Sequence, residues 1–141
     1  MNKSRLEAFT DAVIAIIMTI LVLELARPDS DTWDSLTKIL PHLGVYFISF
    51  IMLAVYWVNH HHLLQSINKI NGKVLWINMF FIFVLSLMPF VSSWVSEYPH
   101  SFIPEFSYAL LLTLANLTYY LLTKELLNIN KSKVLGTSTI I

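Results

Sequence analysis

The chain has 141 residues, of which 56% are hydrophobic and 13% are charged, and its formal net charge is zero. Soluble domains carry about 25% charged residues, so this deficit of charge predicts that a lipid bilayer is the main partner. A net charge of zero argues against a nucleic-acid partner, because phosphate binding needs a basic surface. The absence of cysteine excludes disulfides, thiolate metal sites and cysteine nucleophiles.

Four apolar segments predict an all-α, polytopic membrane helix bundle, because a spanning helix needs about 20 mostly apolar residues. In chain order they cover about 8–26, 42–64, 74–95 and 106–122, within one membrane domain, 1–141. The uncharged stretch of the first segment is short for a helix that faces lipid, which favours a position inside the bundle. Pro89 predicts a kink in the third segment. Asn116 in the fourth predicts a hydrogen bond between helices.

Basic residues are distributed unevenly among the connections. The N-terminus, the 68–73 turn and the stretch after the fourth segment are basic, and alternating helices bring all three to one side of the membrane. The other connections carry most of the acidic residues. The positive-inside rule therefore predicts a multi-pass protein of the cell membrane with a cytoplasmic N-terminus.

Two faces of the first segment carry different chemistry. One face combines branched apolar side chains with a hydroxyl, at helical spacings of three and four: Arg5, Phe9, Ala12, Ile16, Thr19, Ile20 and Leu23. Another face places Asp11 among small residues. A carboxylate in a membrane segment is a candidate functional group, whereas Asp near a helix N-terminus is also explained by the helix dipole. The apolar stripe taken alone is typical of ordinary helix packing.

The stretch 5–23 resembles the signature helix of the transmembrane protein 175 family, which comprises lysosomal potassium channels of animals and their bacterial relatives. The family hallmark is arginine, three residues, then Phe-Ser-Asp. Here Arg5 is followed by Phe9, Thr10 and Asp11, and Thr10 keeps the hydroxyl of the serine. The second and third segments add to the resemblance through Trp57, the Asn-His-His-His run at 59–62, Asn78 and Pro89.

The resemblance implies a potassium-preferring cation channel, with potassium as the permeant ion and with no catalytic residue, cofactor or bound metal. It implies a homotetramer in the bacterial inner membrane, with a pore lined by the first helix of each subunit. Stacked rings would come from Ile16, Thr19, Ile20 and Leu23. A signature network would join Arg5, Phe9, Thr10, Asp11, His60 and Asn78. The sequence lacks the Thr-Val-Gly-Tyr-Gly loop of carbonyl filters, so selectivity would depend on side chains of the first helix.

One departure and two alternatives remain. Family subunits usually have six spanning helices, so this chain is expected to be a fragment or a shortened member, with a fifth helix beginning in 133–141. The histidines at 60–62 leave open a small metal-dependent membrane enzyme, although three consecutive helical residues spread over about 200°. Asp11 and His60 leave open a proton-coupled cation carrier, and a histidine near Asp11 could tune conduction with pH.

Overall fold

The computed structural model describes residues 2–131. Over this range the chain forms six α-helices: α1 (Lys3–Leu23), α2 (Trp33–Lys38), α3 (Leu40–Gln65), α4 (Gly72–Ser86), α5 (Met88–Glu97) and α6 (Phe102–Ile129). Four units are long and apolar enough to cross a membrane, namely α1, α3, α4 with α5, and α6. The predicted all-α membrane bundle with four spanning helices is confirmed. The predicted start of a fifth helix at 133–141 lies outside the described residues.

Side-chain caps explain where several helices begin. α1 begins at Lys3, before the predicted start near residue 8, because the Asn2 side chain accepts a hydrogen bond of 2.9 Å from the Arg5 backbone N–H. Asn71 caps α4 in the same way, accepting from the Val74 backbone N–H at 2.9 Å. Thr32 caps the short helix α2, which lies in the acidic connection between the first two spanning helices.

The third spanning unit is broken at Leu87, as predicted from Pro89. α4 ends at Ser86, and the backbone N–H of Leu87 bonds to the carbonyl of Val84 at 3.1 Å, a tighter turn than the α-helix uses. Pro89 occupies the first turn of α5, where a missing backbone N–H is tolerated. The two helices therefore follow each other without a loop.

Two apolar clusters hold the bundle together. The larger one joins all four spanning units around Leu53, Phe81 and Leu85, each of which is fully buried. The smaller one lies at the end of the bundle that carries the N-terminus and consists of Leu6, Leu64, Ile67, Val74, Leu122 and Leu126. Because the last two of these are one turn apart and fully buried, α6 continues to Ile129, beyond the predicted end at residue 122.

Much of the surface of the spanning helices is apolar and exposed. Only 28% of the most apolar 18-residue stretch of α1 is buried within the chain, although this helix packs against α3, α4 and α5. Exposed apolar surface on this scale belongs against lipid or another protein chain. The first helix thus has one face fixed in the bundle and another face free for other contacts.

Candidate functional site

A chain of three buried polar side chains joins α1, α4 and α3. The Asn78 amide donates through Nδ2 to Thr10 Oγ1 at 2.8 Å, and its Oδ1 lies 2.7 Å from His60 Nε2. All three residues are completely buried. Because an amide oxygen only accepts, His60 Nε2 carries the hydrogen in this arrangement. Three of the six predicted signature residues are therefore in direct contact.

Aromatic rings pack against this row of hydrogen-bonded side chains. The Phe81 ring stacks on the His60 ring, with centroids 6.0 Å apart and planes 4° apart, and meets Tyr56 edge-on at 5.9 Å. Within residues 2–131, His60 Nδ1 is the buried side-chain atom that finds no hydrogen-bond partner. The polar chain thus lies inside the apolar core, where an unpaired polar group is costly.

Asp11 lies outside this chain and has a different partner. Its carboxylate accepts a hydrogen bond of 2.9 Å from the indole Nε1 of Trp57 on α3. His60 and Asn78 were the predicted partners of the signature motif; Asn78 bonds to Thr10 of that motif and His60 bonds to Asn78, whereas Asp11 bonds to Trp57. Trp57 therefore links α3 to α1 through a side-chain hydrogen bond.

Glu7 forms a second attachment to α3 that the sequence analysis missed. Its Oε1 lies 3.0 Å from His61 Nδ1, and Gln65 Nε2 donates to the same oxygen at 3.1 Å. Acids at 7 and 11 therefore face donors at 57, 61 and 65, because both sets repeat every four residues along antiparallel helices. That shared spacing is the sequence signal that could have revealed the contact.

The other two signature residues are at the surface. Phe9 is 42% exposed and lines an apolar groove of about 340 Å³ with Leu6, Leu75, Trp76 and Met79. Arg5 is exposed, and its side chain makes no hydrogen bond or ion pair to any residue in the described range. Within a single subunit, Arg5 and Phe9 therefore do not contact the buried hydrogen-bonded residues Thr10, Asn78 and His60.

The four residues predicted to line a pore share the exposed side of α1. Ile16, Ile20 and Leu23 are 57%, 37% and 79% exposed. Thr19 is exposed as well, and its hydroxyl donates to the Ile16 carbonyl at 2.8 Å. The buried face of the same helix consists of Leu6, Thr10, Ile14, Ile17 and Leu21. This arrangement exposes a stripe of branched side chains to lipid or to another protein chain.

Further hydrogen bonds cross between helices elsewhere. Tyr56 Oη donates to Asn116 Oδ1 at 2.9 Å, which confirms the predicted interhelical bond of Asn116. Ser49 Oγ lies 2.7 Å from Ser92 Oγ and 2.8 Å from Tyr108 Oη, linking α3, α5 and α6. Small hydroxyls of this kind let helices approach closely in a bilayer.

The histidine run does not form a common ligand set. His60 faces Asn78, whereas His61 faces Glu7. Within the part of the chain that the structure describes, no group of three or more histidine, cysteine, aspartate or glutamate side chains is placed to hold a metal ion.

The fold and the buried contacts define a polytopic helical membrane protein whose first helix is tied to the bundle on one face and exposed on the other. A model of the family described as the endosomal/lysosomal potassium channel TMEM175 matches residues 5–89, which include every signature residue named above. The chain belongs to this family, as the resemblance of its first helix predicted.

Individual relatives agree with this assignment. The chain is 45% identical over 122 residues to a potassium channel of Chryseobacterium sp., covering 86% of this chain and 64% of that protein. It is 31% identical over 103 residues to a potassium channel of Streptomyces collinus, covering 70% and 50%. It is 28% identical over 103 residues to the endosomal/lysosomal proton channel TMEM175 of Gallus gallus, covering 70% and 21%. The chain thus spans less than two thirds of the length of these relatives.

A solved structure has the same fold. The crystal structure of a lysosomal potassium-selective channel TMEM175 homolog from Chamaesiphon minutus matches with a TM-score of 0.79 and 25% identity, covering 95% of this chain and 80% of that chain. Its similarity extends beyond the family-model match and includes α6.

Proposed function

We propose that this chain is a subunit of a potassium-preferring cation channel whose pore is lined by α1. Membership in the TMEM175 family and the names of its bacterial relatives support a channel over the metal-dependent enzyme that the histidine run left open. The observation that carries the position of the pore is the exposure of Ile16, Thr19, Ile20 and Leu23 on one side of α1.

The spacing of these residues suits a narrow apolar constriction. Positions 16 and 23 are separated by about 10 Å along the helix axis, since each residue rises about 1.5 Å. Four copies of α1 around one axis would stack isoleucine and leucine rings over that distance, with one ring of threonine hydroxyls between them. Apolar constrictions of this kind gate by dewetting, and selectivity then depends on side chains instead of backbone carbonyls.

The remaining surface of α1 supports assembly into a homotetramer. A groove of about 460 Å³ runs beside Ile16 and Ile20, between α1 and the α4–α5 junction. In the tetramer the α4–α5 side of this groove, with Arg5 and Phe9, faces the neighbouring copy, while Ile16 and Ile20 on its α1 side face the pore and Thr10 and Asp11 hold α1 to its own bundle. The tetramer lies in the bacterial inner membrane with its N-termini in the cytoplasm, because the connections on that side are basic.

The test is ion flux into proteoliposomes containing the purified chain. We compare potassium with sodium, and Ile16→Asn with Ile48→Asn, because both isoleucines are 57% exposed but the second lies on α3. The proposal expects flux that favours potassium and changes with Ile16→Asn, while Ile48→Asn conducts like the unmodified chain. Equal effects of the two substitutions would place the pore elsewhere, and folded protein without flux would contradict channel activity.

The same vesicles separate a channel from the carrier alternative. A pH-sensitive dye inside them reports proton flux, which is also relevant because the vertebrate relatives are named proton channels. Potassium flux that saturates and requires an imposed proton gradient would favour the proton-coupled carrier. Flux that rises with the potassium gradient alone supports the channel.

A further inference from the structure

A small polar cavity lies at the end of the bundle opposite the N-terminus, where α1 ends beside the first two turns of α3 and the C-terminal half of α5. Its volume is about 10 Å³. A space of this size holds one particle as large as a water molecule. Its polar lining consists of one carboxylate, one imidazole, one phenol and three hydroxyls, from Glu24, His42, Tyr46, Ser92, Ser93 and Ser96.

A chain of buried hydroxyls leads to this cavity from α6. Tyr108 Oη lies 2.8 Å from Ser49 Oγ, which lies 2.7 Å from Ser92 Oγ, and Ser92 lines the cavity. The chain can donate in either direction, because each hydroxyl both donates and accepts. When Ser92 donates to Ser49, the lone pairs of Ser92 Oγ are free for an occupant of the cavity. A cation favours this direction, because it attracts those lone pairs.

The charges around the cavity favour a cation over a neutral or anionic occupant. Glu24 provides a carboxylate, and no lysine or arginine lines the cavity in the described structure. The C-terminal end of α1 adds partial negative charge from its last carbonyls, and the final turn of this helix has no basic residue. Lys38, a basic residue of the same end of the bundle, pairs with Asp34 at 3.4 Å.

Polar contacts between side chains hold the first half of α1 but not its second half. Over residues 2–131, the hydrogen bonds from α1 side chains to other elements come from positions 3, 7, 10 and 11. Beyond these, apolar residues such as Ile17 and Leu21 hold the helix. In the same range, the side chains of Glu24 and Ser93 form no hydrogen bond with another residue. An occupant that contacts both would join the end of α1 to α5.

We propose that this cavity binds one alkali-metal cation, which joins the C-terminal end of α1 to α3 and α5. Its ligands are oxygens of the Glu24 carboxylate and of the serine hydroxyls of α5, and hard cations prefer oxygen. A potassium ion is about as large as a water molecule, so it fits the volume. One carboxylate balances a single positive charge, whereas calcium sites collect several carboxylates. The proposal concerns binding at the end of α1 and does not rest on the proposed pore.

The test is thermal unfolding of the full chain in detergent micelles at about pH 8, where histidine is neutral, followed by circular dichroism. Potassium chloride is compared with choline chloride at equal ionic strength, because choline is too large for the cavity. A ligand that binds only the folded state raises Tm as its concentration increases. We expect a rise of about 3–6 °C when potassium exceeds its dissociation constant about tenfold.

Substitutions in the lining locate the bound ion. Glu24→Gln keeps the size of the side chain but removes its charge, so it should abolish the rise in Tm. Glu97→Gln is the matched control, because Glu97 is exposed at the same end of the bundle and does not line the cavity. Ser93→Ala removes one hydroxyl ligand and should raise the potassium concentration of half-maximal effect about tenfold.

Three results would overturn the proposal. Equal Tm in potassium and choline would show that the cavity takes no cation, and loss of the potassium effect in Glu97→Gln would show that it depends on surface charge alone. A rise that persists in Glu24→Gln would place the ion elsewhere. If that residual rise disappears in Thr19→Val, the ion binds beside the exposed stripe of α1, so this result contradicts the cavity without contradicting the proposed channel.

Discussion

Replacing Asn78 by leucine should be the most informative perturbation of the buried polar chain. Leucine keeps the branched shape but removes both hydrogen bonds, leaving His60 Nε2 and Thr10 Oγ1 buried without partners. Each orphaned group costs about 1–3 kcal/mol, which gives about 2–6 kcal/mol for the two. We expect about 2–3 kcal/mol, because hydrogen bonds between helices of membrane bundles lie at the weak end of such ranges.

The assay is equilibrium unfolding in mixed micelles of increasing SDS content, followed by circular dichroism. Asn116→Leu is the matched control, since it removes one bond from an exposed asparagine and Tyr56 Oη retains the Leu112 carbonyl at 3.4 Å. It should cost about 0.5–1.5 kcal/mol. Adding Thr10→Val to Asn78→Leu removes one orphaned group and should recover part of the loss. Free energies of unfolding for the two leucine variants that agree within about 0.5 kcal/mol would refute the reasoning.

Three further predictions use the same unfolding assay. Phe81→Ala should cost about 3–5 kcal/mol, because a fully buried ring that packs on two other helices leaves a cavity; a loss below about 1 kcal/mol would show that the core collapses. Trp57→Phe keeps an aromatic ring, although a smaller one, and removes the donor to Asp11, so it should cost about 1–2 kcal/mol, and no loss would mean that water replaces the indole as donor. Asn130→Ala removes three hydrogen bonds to the backbone of 68–69 and should speed amide hydrogen exchange there, whereas unchanged exchange would contradict that role.

The number and order of the spanning helices could be predicted from apolar segment length, but their ends could not. An apolar segment ends in the sequence where polar residues begin. Lys124 and Glu125 nevertheless lie within α6, because Leu122 and Leu126 remain buried on its other face. At the start of α1, the capping side chain of Asn2 extends the helix through a polar stretch. Thr32, with Asp34 and Lys38 one turn apart, was a sequence signal for α2 that hydropathy ignores.

Three residues of the predicted signature network could be selected from the sequence, but which of them bond to each other could not. Thr10, His60 and Asn78 were selected through the resemblance of the signature motif, and the structure brings them together. Which residue bonds to which depends on the rotation and the axial register of three helices, which local patterns do not encode. The contact between Glu7 and His61 was not predicted for that reason, although the four-residue spacing on both helices is compatible with it.

The absence of cysteine from the sequence allows a direct test of the central claim, that α1 lines the pore. Single cysteines are introduced at the exposed positions 16, 19, 20 and 23 of α1, with Ile48→Cys on α3 as the control, and potassium flux is measured before and after a charged, water-soluble thiol reagent. The account predicts that the reagent blocks flux in the α1 variants, most strongly for Leu23→Cys, while flux through Ile48→Cys is unaffected. Block of the α3 variant, or flux through Leu23→Cys that the reagent leaves unchanged, would contradict it.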